Sequence, residues 1–361
     1  MKNHVLSLMV LVIFSNVTTL HAQTDPLSRF VKQRDLTRIE QSLTSFGKTQ
    51  FDKERSELSK RQNLTFKIEP NATLNRPESA LNGTVEADFS ASSRQLLLDQ
   101  NKLALTELQR DFSARKLTIN PNLLIDFSTI DWKKILMGAS GCTINTSLLT
   151  PVKDQGGCGS CWAFAAAAAW EHTYRKFYGT SVTPDVAEEE LVNCGKTCAG
   201  DDAGSCSGGS SWKAMDYIKC YQVARESAYP YTAADASCRS AAKSYGAYGW
   251  VEIGSGYPSN DMVKSAITTY GAVVTYLFAK GWGSYGTGVM NAYPNGDAAL
   301  VDSKGNTINH AVTIVGWCDA KNAWIIKNSW GTDWGGYGGY AYIAYNHYNI
   351  NKRVYAVCPR P

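Results

Sequence analysis

Apolar residues change their spacing several times along this chain, and each change predicts a different kind of element. After Met1-Lys2-Asn3-His4 comes an apolar run from Val5 to Phe14, then Ser15 to Ala22, a polar stretch ending in small residues. That is the outline of a signal peptide cleaved after Ala22. The run is about ten residues, too short for the roughly 20 that cross a bilayer as a helix. Residues 23 to about 120 are polar and rich in Leu, Ser, Arg, Gln and Asn, with helix-like stretches at 27–43 and 95–116. From Cys161 apolar residues continue through Trp170 and Tyr174 with no Gly or Pro before Gly179, which predicts one helix of four or more turns. A shorter helix begins at 188–192. Beyond about Tyr245 the spacing turns to that of strands, with runs at 272–278, 311–317, 323–327 and 337–345 separated by Gly, Asn and Asp clusters. A helical first half followed by a β-rich second half predicts an α+β fold.

Composition narrows the function classes. The chain has 361 residues, 44% of them hydrophobic, and a formal net charge of +4 with no run of five or six like charges. A nucleic-acid partner therefore has no electrostatic support. No later segment is long and apolar enough to span a membrane. Ten cysteines fall between Cys142 and Cys358 and none before, which sets the last two thirds apart and, with the leader, points to an oxidising compartment: extracellular, periplasmic or lysosome-like.

The segment Gln155-Gly156-Gly157-Cys158-Gly159-Ser160-Cys161-Trp162-Ala163-Phe164 places a thiol where a glycine-rich turn meets an alanine-rich helix. A helix N-terminus and a nearby imidazolium lower a thiol pKa from about 8.5 to roughly 3.5–7.5, which makes such a cysteine a nucleophile. A base must share its proton. Of five histidines, His4 and His21 fall in the leader, and His347 follows a strand in polar sequence. His172 lies about 16 Å further along the Cys161 helix, too far for a hydrogen bond. His310 remains, in Asn309-His310-Ala311-Val312. Another segment, Asn328-Ser329-Trp330-Gly331, ends a strand-like run.

These three segments together resemble the papain-like cysteine proteases, over about residues 131–358. The resemblance implies a two-lobed fold, with a helical N-terminal lobe, a β-barrel-like C-terminal lobe and the active site in the cleft between them. It implies Cys161 as nucleophile, His310 as base, Asn328 as the residue that orients the imidazole, and Gln155 as oxyanion donor together with the Cys161 backbone N–H. Gly208 and Gly209 match glycines that pair with an extended substrate. Ile308 and Ala311 match the pocket for the residue two before the scissile bond, and Trp330 covers the imidazole contact. Cys158 with Cys206, and Cys194 with Cys238, occupy positions that pair in the family. A zinc site is the alternative for clustered cysteines, but the spacings lack paired Cys-x-x-Cys units. Cys198 with Cys220, and Cys318 with Cys358, are further candidate bridges, which leaves Cys142 over.

The family's usual tail beyond the last cysteine is almost missing, since only Pro359-Arg360-Pro361 follow Cys358, so one wall of that pocket is expected to be altered or open. The expected organisation is a signal peptide at 1–22, a propeptide at 23–125 that inhibits the enzyme, and a peptidase domain at 126–361. Val85-Glu86-Ala87-Asp88-Phe89-Ser90 is similar to a short propeptide motif. The expected activity is that of a monomeric, secreted cysteine endopeptidase made as a zymogen, acting on polypeptides without metal or organic cofactor. A catalytically inactive binding or scaffold protein of the same fold is the competing reading. Asn63, Asn71, Asn82 and Asn145 head glycosylation sequons.

Overall fold

The computed structural model describes residues 25–85, 110, 141–254 and 256–360. The leader at 1–22, residues 86–90, the stretch at 95–116 apart from Arg110, and Asp131-Trp132 lie outside the described residues.

The long helix runs Cys161–Tyr178, and its buried Ala163, Ala165, Ala166, Ala167 and Ala169 keep the helix surface thin where strands must pack on it. It ends at Gly179, whose φ of 95° suits a residue without Cβ. Two shorter helices, Glu188–Cys194 and Ser211–Tyr221, complete the helical lobe. The stretch at 27–43 is not one helix. It forms a short turn at Ser28–Phe30 and a helix at Leu36–Ser42, after which Leu43 is extended. Thr44 then caps a new helix, Ser45–Leu58, accepting from Gly47 N–H.

Twelve strands are described: β1 (Thr65–Ile68), β2 (Cys142–Ile144), β3 (Gly204–Ser205), β4 (Gly208–Gly209), β5 (Val223–Ala224), β6 (Lys243–Glu252), β7 (Val273–Leu277), β8 (Tyr285–Met290), β9 (His310–Cys318), β10 (Ala323–Lys327), β11 (Tyr340–Ala344) and β12 (Lys352–Arg360). All but β3 and β4 join one sheet in the order β1-β8-β11-β10-β9-β7-β12-β6-β5, with β2 pairing β9 off that path. The fold is α+β as expected. The barrel-like closure is not present: β1 and β5 are separate ends of the sheet, so it is an open, curved path among the described residues. One of those ends, β1, comes from the N-terminal segment and pairs antiparallel with β8.

Strand alternation divides the interior in two. On β7, Val273 and Leu277 enter a core with Ile314, Trp324 and Ile326, while Val274 and Tyr276 face the opposite core with Trp170, Met215 and Trp250. The first core is closed by the helix Asn260–Tyr270, whose Val263, Ala266, Ile267 and Tyr270 form one buried face and whose cap, Ser259, accepts from Met262 N–H.

Four disulfides are described. Cys158–Cys206, Cys194–Cys238 and Cys198–Cys220 link the pairs foreseen. Cys318 pairs instead with Cys142, which lies directly opposite it in the β2–β9 register, and Cys358 is a buried free thiol. Cys358 lies inside β12, which continues to Arg360 between β6 and β7, and its Tyr355 packs on Tyr276 with ring centroids 5.6 Å apart.

Candidate active site

Cys161 is the first residue of its helix and fully buried. The turn before it is tied to the neighbouring loop. Gly159 N–H donates to the Cys206 carbonyl at 2.9 Å, and a Cβ on Gly159 would come within 2.6 Å of that oxygen. The Cys158–Cys206 bridge clamps the same two segments. On the opposite wall His310 opens β9, and its Nε2 lies 2.8 Å from Asn328 Oδ1 at the end of β10. An amide oxygen can only accept, so Nε2 carries the proton and the neutral ring keeps its lone pair on Nδ1, which has no hydrogen-bond partner. The Trp330 ring sits 4.9 Å from the imidazole and Trp282 stands at 5.8 Å, so both exclude water from the His310–Asn328 bond.

Gln155 reaches the same place. Its Oε1 accepts from Ser329 Oγ at 2.7 Å, which aims Nε2 into the cleft. Lys153, two residues earlier, donates to Glu171 on the Cys161 helix at 3.1 Å and to Glu188 at 2.8 Å. Lys327, next to Asn328, donates to Thr150 at 2.8 Å, and Thr150 donates to Glu171 at 2.6 Å. Burial pushes the Lys327 ammonium down to about 8. This buried chain of charges ties the segments carrying Gln155, Cys161 and Asn328 to one another, and sequence reasoning missed it. The one signal was Lys327, a charged residue closing the apolar run Ala323-Trp324-Ile325-Ile326 directly before Asn328.

A segment of the N-terminal region also crosses the cleft. Residues 78–85 pass over the pair: Thr84 Oγ1 lies 3.3 Å from Cys161 Sγ, and Gln155 Nε2 donates to the carbonyls of Ala80 at 3.0 Å and Leu81 at 3.1 Å. Trp330 Nε1 also donates to Leu81 O at 3.1 Å. Gly209 N–H donates to Gly83 O at 2.7 Å, Val85 N–H donates to Gly209 O, and Thr84 N–H donates to Asn309 O on the other wall. Thr84 and Gly209 form a parallel bridge. Under this cover, burial pushes the Cys161 thiol up, although Thr84 and nearby backbone N–H groups favour the thiolate. Burial likewise pushes His310 down to about 4, despite its bond to Asn328. Both groups are therefore neutral at pH 7 while the segment is in place.

The family profile of papain family cysteine proteases matches residues 129–358. The chain belongs to the papain family. It is a cysteine-type peptidase. Peptidase 1 of Euroglyphus maynei is 28% identical over 88% of this chain and 90% of its own length. Thiol protease aleurain of Arabidopsis thaliana is 34% identical over 53% of this chain and 51% of its own length. The solved digestive procathepsin L 3 of Tenebrio molitor larval midgut superposes with a TM-score of 0.59 at 21% identity, over 92% of this chain and 99% of that one, which shows a shared fold.

In this papain-family chain the other sequence-selected residues lie as follows. Gly208 and Gly209 form β4 beside the cleft segment, and a Cβ on Gly208 would come within 2.9 Å of Gly83 O. Ile308 and Ala311 are buried in the helical-lobe core with Tyr276 and Tyr355. His172 is buried in the Cys161 helix with Nδ1 on the Ala168 carbonyl, and His347 Nδ1 lies on the Tyr345 carbonyl. Of the sequon residues, Asn71 is fully buried, donating to Gly283 O and Tyr285 O, which leaves no room for a glycan. Four disulfides fit an exported, oxidising compartment. Among the described residues no helix is long and apolar enough to cross a membrane.

Proposed function

We propose that this chain is the precursor of a secreted cysteine endopeptidase, held inactive by its own N-terminal segment. The observation that carries the reading is the path of residues 78–85 over Cys161, between Gly209 and Asn309. With that segment gone, solvent and substrate reach the pair, and the Cys161 proton passes to His310. The thiolate attacks the scissile carbonyl carbon. Gln155 Nε2 and the Cys161 N–H stabilise the resulting oxyanion, worth about 2.7–4 kcal/mol per donor. His310 gives its proton to the departing amine as the C–N bond breaks. Water then attacks the thioester, His310 takes a proton from it, and the thiolate leaves with the second product released as a carboxylate. Asn328 holds the ring plane throughout.

The covering segment escapes this chemistry for a geometric reason. The carbonyls that Gln155 holds belong to Ala80 and Leu81, whereas the residue facing Sγ is Thr84, which presents a hydroxyl. The carbonyls bonded to Gln155 thus belong to residues three and four before the one whose hydroxyl meets Sγ. The leader at 1–22 directs export, residues 23–125 act as propeptide and residues 126–361 as the peptidase, with polypeptide substrates and a monomeric product.

The test is to express the precursor and the Cys161→Ala precursor, treat both with a papain-type epoxide inhibitor after exposure to trace active protease, and map any label. A label on Cys161 together with peptide hydrolysis supports the reading. A processed wild-type chain that takes no label and cuts no peptide supports the inactive scaffold instead. A full-length precursor that hydrolyses peptides without N-terminal cleavage would reject the zymogen.

A further inference from the structure

The two groups assigned to the oxyanion are tied together behind the cleft by one phenol hydroxyl. Tyr231 lies in the loop after the short turn Glu226–Ala228 and is 71 residues from Ser160 in the chain. Its Oη lies 2.8 Å from the Gln155 carbonyl oxygen and 2.7 Å from Ser160 Oγ. A carbonyl can only accept and a phenol has one proton, so Tyr231 donates to Gln155 O and accepts from Ser160. The hydroxyl therefore bridges the two ends of the turn 155–160. At one end is the backbone of Gln155, whose side chain is one oxyanion donor. At the other is the residue directly before Cys161, whose N–H is the second donor.

Ser160 shows what this bridge displaces. It stands at the N-cap of the helix Cys161–Tyr178, where a serine hydroxyl ordinarily accepts from the N–H two or three residues on. Here the side chain makes no such bond. The Ser160 carbonyl accepts from Ala163 N–H at 2.8 Å and from Phe164 N–H at 3.2 Å, while the buried hydroxyl is turned to Tyr231. Tyr231 is itself held firmly. Its ring meets that of Phe164 edge-on, with centroids 4.8 Å apart at 89°. Its own N–H donates to Glu226 at 2.7 Å, and the N–H of Thr232 donates to Glu189 on the helix Glu188–Cys194 at 3.0 Å. An oxyanion donor acts over about 2.7–3.1 Å, so a small displacement of the turn weakens it. We propose that Tyr231 is a positioning residue for the oxyanion hole, whose hydroxyl holds the Gln155 and Cys161 donors at a fixed separation without touching substrate. This rests on the peptidase reading above.

The experiment uses enzyme processed in trans and an internally quenched peptide. Tyr231→Phe keeps the ring on Phe164 and removes only the hydroxyl. It should lower kcat by about 10–100-fold, less than the roughly 10²–10³-fold typical of losing a whole donor, and leave KM unchanged. Cys161 should still exchange with dipyridyl disulfide at the wild-type rate and with the wild-type pH profile, because that reaction develops no oxyanion. A generally loosened turn would alter both reactions. In a Gln155→Ala background the same substitution should cost less than in wild type, since one of the two donors it positions is already gone. Ser160→Ala, which removes the other partner of the hydroxyl, should also lower kcat. A Tyr231→Phe enzyme with wild-type kcat overturns the proposal, and so does an equal loss in turnover and in disulfide exchange, or full additivity with Gln155→Ala. If Tyr231→Phe does not fold, Ser160→Ala decides, and wild-type kcat in that variant overturns the proposal. Wild-type enzyme that undergoes the exchange but cuts no peptide would sink the peptidase reading itself, an outcome distinct from cutting that does not depend on Tyr231.

Discussion

The two walls of the cleft reach comparable rigidity by different means. At the nucleophile's wall a covalent bond lies beside the reacting group: Cys161 begins a helix, and the turn before it is bonded to Cys206 through a disulfide and a backbone hydrogen bond. At the base's wall the only disulfide described, Cys142–Cys318, lies at the far end of β9 from His310. His310 and Asn328 sit on neighbouring strands, and their 2.8 Å contact depends on the register of β9 with β10, in which Lys327 faces Thr313. A one-residue slip would turn every side chain of a strand to the other face, so the sheet's buried pattern protects the site. The difference teaches that redox conditions act directly on the turn before Cys161, whereas the His310–Asn328 contact rests on strand packing. The covering segment reports on both, because it bonds to Gly209 on the first wall and Asn309 on the second.

The largest expected effect breaks the second wall alone. His310→Ala should lower kcat/KM by about 10²–10⁴-fold, the range for losing a general acid–base group. Asn328→Ala should cost less, because Trp330 and Trp282 still confine the ring. Steady-state kinetics on protein processed in trans compares them. Near-normal turnover of the histidine variant would remove His310 from the mechanism.

The next effect belongs to the first wall. Replacing Cys158 and Cys206 together by Ser should destabilise the folded chain by about 2–5 kcal/mol, read by thermal melting under non-reducing conditions. Strong reductant should lower the melting temperature of wild type, whereas mild reductant is required to keep Cys161 active. Peptide mapping that found Cys158 and Cys194 free in the native protein would reject the bridging.

A smaller effect is pH dependence of the covering segment. His310 is held near 4 while covered and has an ordinary value near 6.5, so the uncovered state binds the extra proton and acid favours release between about 6.5 and 4. Glu54 opposes this. Burial raises its carboxyl to about 7, the docked state keeps that proton, and acid favours docking between about 7 and 4.5. The aspartates paired across the interface, Asp154 with Arg76, Asp297 with Arg61 and Asp25 with Lys321, stay ionised below their usual range although burial works against it. They let go only below about pH 4. Carboxylates of this kind therefore contribute to loosening only at the acid end of the range. The opening equilibrium at Thr84 and Val85 in the Cys161→Ala precursor, read from amide exchange corrected for the intrinsic rate at each pH, should change little from pH 7 to about 4.5 and rise below that. Glu54→Gln should reveal a steady rise from about 6.5 downward. An unchanged profile in that variant would refute the compensation.

The smallest effect concerns the contact between the segment and the nucleophile. Thr84→Val removes the hydroxyl at Sγ but keeps the backbone bonds to Gly209 and Asn309, so it should speed processing only severalfold, as expected for one hydrogen bond of about 1 kcal/mol. A rise of several hundredfold would mean that the hydroxyl, rather than the backbone pairing, holds the segment.

The sequence by itself determined the local chemistry. The run from Gln155 to Phe164 specifies a thiol at a helix start, the strands at β7, β9 and β10 follow from their apolar runs, and the spacing of Asn309-His310 and Asn328-Ser329-Trp330 carries the family relation. Local signals suffice there because turn, helix and strand are decided by residues near in the chain. Other features depended on the three-dimensional arrangement. Cys142 joins Cys318 because β2 pairs with β9 across a separation of 176 residues. The last strand, β12, has its place because it inserts between β6 and β7. Residues 78–85 lie on Cys161 because β1 and the helix Ser45–Leu58 are anchored on β8 and the Ser284 turn. Tyr276 reads as an ordinary strand residue until the register sets it opposite Ala311 and its hydroxyl meets the other lobe. Each of these is a contact between segments distant in the chain, and only the packing of both cores fixes which distant segments meet.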